Sequence, residues 1–530
     1  MTMQTHTPPG RTMRARRTRL AIRTIAAACV LGGLSACLGL DVTDPNGLGI
    51  STVFNNPANT EAALIGSWKA YTEVSRSTCP TLPMAVWGNE ITTTSITYID
   101  YSVEPRIPIN NRDNVNCATR GAYWTPFESI AGAREAFQGI RANSLKFGTV
   151  SATTPNGADT PSRVIFAKFI IAVNTLRHGL YFDQAFITDT LTAGSETGSN
   201  LSPYPQVLAA ARAQLRDVIA EARAANAFTW PTTFVNGRPI TRDELIRICY
   251  AYLVKADVYA PRNPADRAAV DWAAVLARLD SAITRDFGHQ ADPAIAGTAS
   301  TYINNSFAQN TVRISNRLLG PADTSGQYQL WLSKPIADRT AFTITTPDRR
   351  IHGATNSTAG TRFTRLTSTM GSATNGPYLT SSYRSTRYLN TAADSGNRAF
   401  ILQISLDEMK FIRAEALWRL GRGTEAAAII NPTRIAANLK PVDVNGPPAG
   451  RDCVPKKADG SCGTLFDAIQ YEKRIELYPY NGDVTWFDAR GWGLMVKGTP
   501  FHMPVSGREL ISQGIPYYTF GGEGLPGGAP

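Results

Sequence analysis

The chain has 530 residues, of which 43% are hydrophobic and 18% charged, with a formal charge of +11 at pH 7. That length holds either a few average domains or one large helical array, with ample chain for a sizeable core. Arg11, Arg14, Arg16, Arg17, Arg19 and Arg23 lie in a leader without acids; removing those six from +11 leaves +5, so net charge gives no ground for a nucleic-acid partner.

The leader is basic at first and apolar from Ala21 to Leu34, then reads Leu34-Ser35-Ala36-Cys37. The apolar run is too short to span a bilayer, and no later stretch approaches the roughly 20 apolar residues a spanning helix needs, so residues 1–36 are expected to be a signal peptide. Arg16-Arg17 suggests twin-arginine export, but Arg19 stands where that motif takes an apolar residue, which favours general secretion. Leu-Ser-Ala-Cys resembles a lipobox, which implies a thioether lipid on Cys37, cleavage before it and acylation of the new N-terminus. Several acyl chains anchor stably where one would not. Residues 37–58 are then a lipidated tether leading into the fold.

Of the remaining cysteines, Cys453 and Cys462 bracket a short turn-rich loop, VPKKADGS, that suits a local disulfide. Cys79 and Cys117 lie in loop-like sequence and form the second expected pair, while Cys249 sits in an apolar helical run as a buried thiol. No CxxC occurs, and His178, His289, His352 and His502 are scattered, so neither a metal nor a cofactor is expected.

In chain order, a first helix is expected from about Asn59 to Val74, capped by Asn59 or Thr60, with Leu64, Trp68 and Tyr71 as its apolar stripe. Periodicity fails between Ser75 and Arg120, which therefore reads as loop. Its Trp87, Asn89, Tyr98 and Tyr101 are candidate ligand-binding residues, because sugar rings stack on aromatic faces and their hydroxyls need hydrogen bonds. Helical patterning returns at Tyr123 to Leu145 and Arg163 to Tyr181, an antiparallel pair, and continues at Pro205 to Ala224, Arg242 to Tyr259 and Trp272 to Phe287. Helix pairs of this size point to a tetratricopeptide-like stack.

From 288 to 402 Ser, Thr, Asn, Gly and Arg dominate, and short strands and irregular segments packed over the helices are expected. Arg313, Arg317, Arg339, Arg349, Arg350, Arg362, Arg365, Arg384 and Arg387 outnumber the acids there. They suit a solvated face or, functionally, an acidic glycan. Tyr328 and Trp331 are further candidate stacking residues. Helical order resumes at Ser405 to Leu420. In Leu465 to Arg490 a charged helix, a turn at Pro479 and Asn481-Gly482, and an aromatic segment follow one another. Glu472 and Glu476 fall one turn apart and call for a cation between them. Arg474 points to the opposite side, so Arg490 or a more distant arginine must serve. A buried ion-pair network is favoured over an acid/base pair, since spacing on one helix builds no cleft. The Gly/Pro-rich tail is expected to be poorly anchored.

Glu472-Lys473-Arg474-Ile475-Glu476-Leu477, Gly482, Trp486-Phe487-Asp488 and Arg490 resemble the C-terminal ERxxEL…EGxRWFDLxR signature of SusD/RagB lipoproteins, with Lys473, Ile475 and Asn481 as departures. LDEMKFIRAEALWRLGRGTEAAAIINPTRIAANL is similar to a second block of that family through Arg413, Glu415, Leu420-Gly421, Asn431 and Arg434, departing at Pro432 and Ala436. Residues 53–66, the 163–186 segment and Met503-Pro504-Val505 with Glu509-Leu510 are similar to other family blocks. The resemblance implies a mainly α, tetratricopeptide-like SusD-like domain over 59–530, with a helical scaffold at 59–287 and 403–510 and a strand-poor variable region at 288–402. It also implies a non-catalytic, surface-exposed outer-membrane lipoprotein that binds a glycan, peptide or other oligomeric nutrient and hands it to a SusC-like, TonB-dependent barrel. Arg413 is the candidate partner of Glu472 or Glu476, and Glu415, Arg474, Asp488 and Arg490 are expected in the same structural ion pairs. The alternatives are a secreted glycoside hydrolase, using Glu90 and a second acid, and a helical scaffold that binds only proteins. No GxSxG, HExxH or nucleotide-binding glycine loop supports an enzyme.

Overall fold

The computed structural model describes residues 54–530 except 96–97, 113–116, 191–199, 293, 296–299, 301–311, 368–375, 388–398 and 480–481. The expected signal peptide, Cys37 with its lipid, nearly all of the 37–58 tether, and Asn481 lie outside the described residues.

Helices α1 (Pro57–Arg76), α2 (Thr78–Trp87), α3 (Arg120–Ala142), α4 (Thr160–Tyr181), α5 (Tyr204–Ala224), α6 (Arg242–Val258) and α7 (Trp272–Asp280) make the first part of the scaffold. Except for α2, each packs on the next in sequence, α1 on α3, α3 on α4, and so on to α7. Each helix buries an apolar face against its neighbour, as in stacked helical arrays. Helix α8 (Gln327–Ser333) belongs to the variable region; α7 packs directly on α9 (Leu406–Arg419), which packs on α10 (Gly423–Ala436) and α11 (Leu465–Leu477). Helix α12 (Asp483–Trp492) packs against α2.

The caps follow the chemistry of the helix ends. Asn56, not Asn59 or Thr60, caps α1, its side chain accepting from the Ala58 and Asn59 amides with Pro57 in the first turn. Thr241 and Glu244 form a capping box on α6, as do Thr464 and Asp467 on α11. Trp68 is the centre of the stack's core. Its ring lies 4.7 Å from Tyr71 and within 6.2 Å of Phe166, Phe169 and Phe287, and such aromatic packing adds to simple burial.

Three expectations are corrected. Residues 75–120 are not all loop: α2 forms despite Pro83 inside it and a non-helical Cys79, because Leu82, Ala85, Val86 and Trp87 are buried together. Helix α7 stops at Asp280 rather than reaching Phe287, which instead opens strand β1 (Phe287–Ala291). The C-terminal tail is pinned, Gly498 and Thr499 exchanging backbone hydrogen bonds with Ala529, and Phe501 donating to Gly527.

Strand β1 pairs antiparallel with β2 (Ala399–Ile404), from Ala291 opposite Ala399 to Phe287 opposite Ile404. The variable region is thus closed at its own two ends. Its Ile314, Leu318, Ile344, Ile351 and Phe363 share one core with Leu82 and Val86 of α2 and with Tyr471 and Ile475 of α11.

Candidate functional site

Helix α11 divides its faces. On one, Glu472 and Glu476 are bridged by Arg350, whose Nη1 donates to Glu472 Oε2 at 2.6 Å and to Glu476 Oε1 at 2.9 Å. Arg434 adds a bond to Glu472 at 2.9 Å and Arg362 one to Glu476 at 2.9 Å, while Arg350 also holds Asp348. Burial pushes the Asp348 carboxyl up, and the Arg350 guanidinium overrides it and holds it below the ordinary range. The carboxylate pair is a structural anchor. A second buried cluster joins Arg267 to Glu415 and Asp488, with Lys473 on Asp488.

Three of the expected ion-pair partners are corrected. Arg413 pairs with Asp280 on the surface, not with Glu472 or Glu476. Arg490 donates to the carbonyls of Phe501, Leu180 and Tyr259 at 2.7–3.0 Å. Arg474 has no carboxylate at ion-pairing distance among the described residues; its Nη2 reaches the Gly88 and Asn89 carbonyls at 3.4 Å. The disulfides are Cys79–Cys117 and Cys453–Cys462, and Cys249 is a buried thiol.

The candidate stacking residues are placed differently from expectation. Trp87 is buried against Tyr101 and Trp486, and Asn89 donates to the Leu494 carbonyl. Tyr98 and Tyr101 are partly buried against the variable-region core. Tyr328 and Trp331 stack on each other and on Phe342, and the Arg317 and Arg339 guanidiniums lie over the Trp331 ring at 5.3 and 4.8 Å. The ring faces of Trp87, Tyr328 and Trp331 are therefore occupied, and no sugar can stack on them. Asn89 and Trp331 do meet, but around a cavity of about 20 Å³, room for about one water. Glu90 is 1% exposed, accepts from the Thr485 hydroxyl, and is held by burial at a pKa of about 8. So enclosed a carboxyl meets no glycosidic bond.

A cleft of about 240 Å³ opens beside these residues, where the variable region, the disulfide-closed loop and the other face of α11 converge. Asp467, Gln470 and Arg474 line it at steps of three and four residues, turned away from Glu472 and Glu476. Leu318, Leu332, Pro455 and Leu494 give it an apolar lining, and Lys456 and Lys457 stand on the loop. The loop is fixed: Lys456 N donates to Pro321 O at 2.7 Å, and Gln329 Nε2 donates to Lys457 O at 3.0 Å. Gln470 is 8% exposed and Tyr328 7%, and both line the cleft. Buried polar groups are ordinarily hydrogen-bonded, and Arg474 lines the cleft with its Nε buried and without a hydrogen bond, which leaves that guanidinium able to bond a ligand.

A larger groove, about 410 Å³, runs beside α5 and α7, but its Arg212 and Arg278 are both engaged by Asp257. Among the described residues no cluster of His, Cys, Asp and Glu is arranged to hold a metal ion, and no helix is long and apolar enough to cross a membrane. Gln470, Lys456 and Lys457 escape sequence reasoning that looks for aromatics. The spacing of Gln470 and Arg474, and two lysines inside a disulfide loop, are the signals that mark them.

No protein-family model matches the sequence, and no curated protein does. Solved structures do match. A SusD superfamily protein from Bacteroides vulgatus is 15% identical with a TM-score of 0.50, over 83% of this chain and 89% of that one. A SusD-like carbohydrate-binding protein from Bacteroides fragilis is 13% identical with a TM-score of 0.52, over 85% and 90%. A SusD superfamily protein from Bacteroides thetaiotaomicron is 12% identical with a TM-score of 0.52, over 87% and 97%. Identities this low carry the fold and nothing finer.

Proposed function

We propose that this chain, a mainly α protein of SusD-like fold, is a non-catalytic glycan-binding lipoprotein of the outer-membrane surface that passes its ligand to a TonB-dependent barrel. The observation that carries the reading is the cleft on α11, where Gln470, Tyr328 and Arg474 stand beside apolar walls from Leu318, Leu332, Pro455 and Leu494. Sugars demand that combination, since their C–H faces need apolar contact and their hydroxyls need partners. At about 240 Å³ the cleft falls just short of the roughly 300 Å³ at which small-molecule pockets begin, so it grips one unit of an oligomer and leaves the rest outside. A protein that delivers its cargo whole needs that geometry.

Support for the location comes from the leader that ends at Cys37, whose lipid would tether the fold to a membrane. The Bacteroides fragilis neighbour, described as carbohydrate-binding, supports the ligand class. The burial of Glu90 counts against the hydrolase reading, which named that acid.

The test has two arms. Isolation from native outer membranes is expected to bring down a barrel protein, and repeated isolation without one contradicts the delivery role. Calorimetry with a panel of oligosaccharides is expected to show binding, with chain lengths unchanged after prolonged incubation. Shortened products contradict the non-catalytic reading, and so does a panel without a single binder for the glycan reading.

A further inference from the structure

We infer that the cleft on α11 selects a sugar unit bearing an anionic substituent, a carboxylate or a sulfate. This rests on the reading of that cleft as the glycan site and specifies what enters it.

The charges around the cleft do not balance. Lys456, Lys457 and Arg474 line it against one carboxylate, Asp467. That carboxylate is already engaged in capping α11, where Oδ2 accepts from Thr464 N at 2.7 Å and from the Thr464 hydroxyl at 2.8 Å. Lys457 approaches it only to 3.9 Å. Lys456 has no ion-pair partner among the described residues, and Arg474 has none either, with its Nε buried and without a hydrogen bond.

Other buried arginines are held at shorter range; even Arg106 and Arg262, which also have an unbonded Nε and no carboxylate at ion-pairing distance among the described residues, donate to the Ser102 and Val103 carbonyls and to the Leu180 and Gly179 carbonyls. Arg350, Arg434, Arg267 and Arg317 each hold a carboxylate at 3 Å or closer. Arg490, which holds none, is kept by three carbonyls at 2.7–3.0 Å. The arginines of the variable region, the first place sequence suggests for an acidic ligand, are largely engaged internally: Arg350 and Arg362 on Glu476, and Arg317 and Arg339 on Glu104. Arg474 differs by facing an open cleft with only two 3.4 Å contacts. A guanidinium in that state gains most from a planar or tetrahedral oxyanion, and burial strengthens the bond. The flanking apolar strip from Leu318, Leu332 and Leu494 receives the ring that carries the anion. A free inorganic ion would use the cations and leave that strip bare.

The experiment uses the mature protein and matched trisaccharides: cellotriose, mannotriose and galactotriose against the corresponding glucuronate, mannuronate and galacturonate trimers. A κ-carrageenan-derived tetrasaccharide serves as the sulfate arm. Affinities are measured at low and high salt. An acidic oligosaccharide, of the carboxylate or the sulfate kind, is expected to bind about tenfold or more tighter than its neutral counterpart, the worth of one charge-assisted hydrogen bond. The advantage is expected to shrink as salt rises. In the double variant Lys456→Gln/Lys457→Gln the ratio of acidic to neutral affinity is expected to fall, whatever the change in neutral affinity itself. In Arg474→Gln the acidic advantage vanishes, and the lysine variant keeps the test decisive should Arg474→Gln fail to fold. Equal affinity for acidic and neutral oligosaccharides overturns the inference and leaves glycan binding standing. An acidic preference that survives the variants also overturns it. Binding of neither class overturns the inference and the glycan reading together.

Discussion

Arg350 and Arg413 are both arginines assigned to ion pairs, and burial separates them. Arg350, 4% exposed, stands between three buried carboxylates, so Arg350→Ala leaves Asp348, Glu472 and Glu476 without their shared cation. A loss on the order of 3–5 kcal/mol is expected in denaturant unfolding. Arg413 meets Asp280 where their side chains are 34% and 70% exposed. Arg413→Ala is expected to cost under about 1 kcal/mol. Equal losses from the two variants would contradict the assignment. Glu90 offers a pH-dependent test. The buried carboxyl keeps its proton to about pH 8, while in the unfolded chain it ionises near 4.5. Between those values the folded protein holds a proton that the unfolded one has lost, so the contribution is full below pH 4.5, declines through the window and is gone above pH 8. Glu90→Gln does not ionise and can still accept from Thr485. Its melting temperature is expected to exceed that of the parent by a margin that grows from pH 5 to pH 8. A margin that is constant over that range would rule out the burial of an ionisable group as the cause.

At the level of elements, Gly482 leads into α12 at a point where α2 lies close against it. Gly482 has φ +67°, and a Cβ there would lie 2.6 Å from the Thr81 carbonyl of α2. Gly482→Ala combines backbone strain with that clash and is expected to lose on the order of 1–3 kcal/mol. Unchanged unfolding would mean that the turn is not constrained as described. The long helices were legible in the sequence because α5 repeats its apolar positions on one face over several turns and α4 is a long, largely apolar run buried nearly all round. Helix α2 was not, because two prolines within it are the usual mark of a loop, and only the packing of Leu82 and Val86 on α11 decides otherwise. The β1–β2 pairing joins segments more than a hundred residues apart, beyond the reach of local pattern. The site was legible in part. Tyr328 lines the candidate cleft while its ring packs on Trp331 and Phe342, because composition says which rings a loop holds and not which of their faces neighbours cover.

On the scale of the whole molecule, a helical stack and a variable region share one core, and the ion pairs on α11 fix the helix whose opposite face builds the cleft. Rigidity on one side and free hydrogen-bonding groups on the other suit capture without chemistry. Hydrogen–deuterium exchange with and without the tightest-binding oligosaccharide tests this most directly. The expected result is slowed exchange at 318–332, 455–458 and 467–474, with the remaining helices unchanged. Protection confined to the groove between α5 and α7, with the α11 face unaffected, would contradict the account.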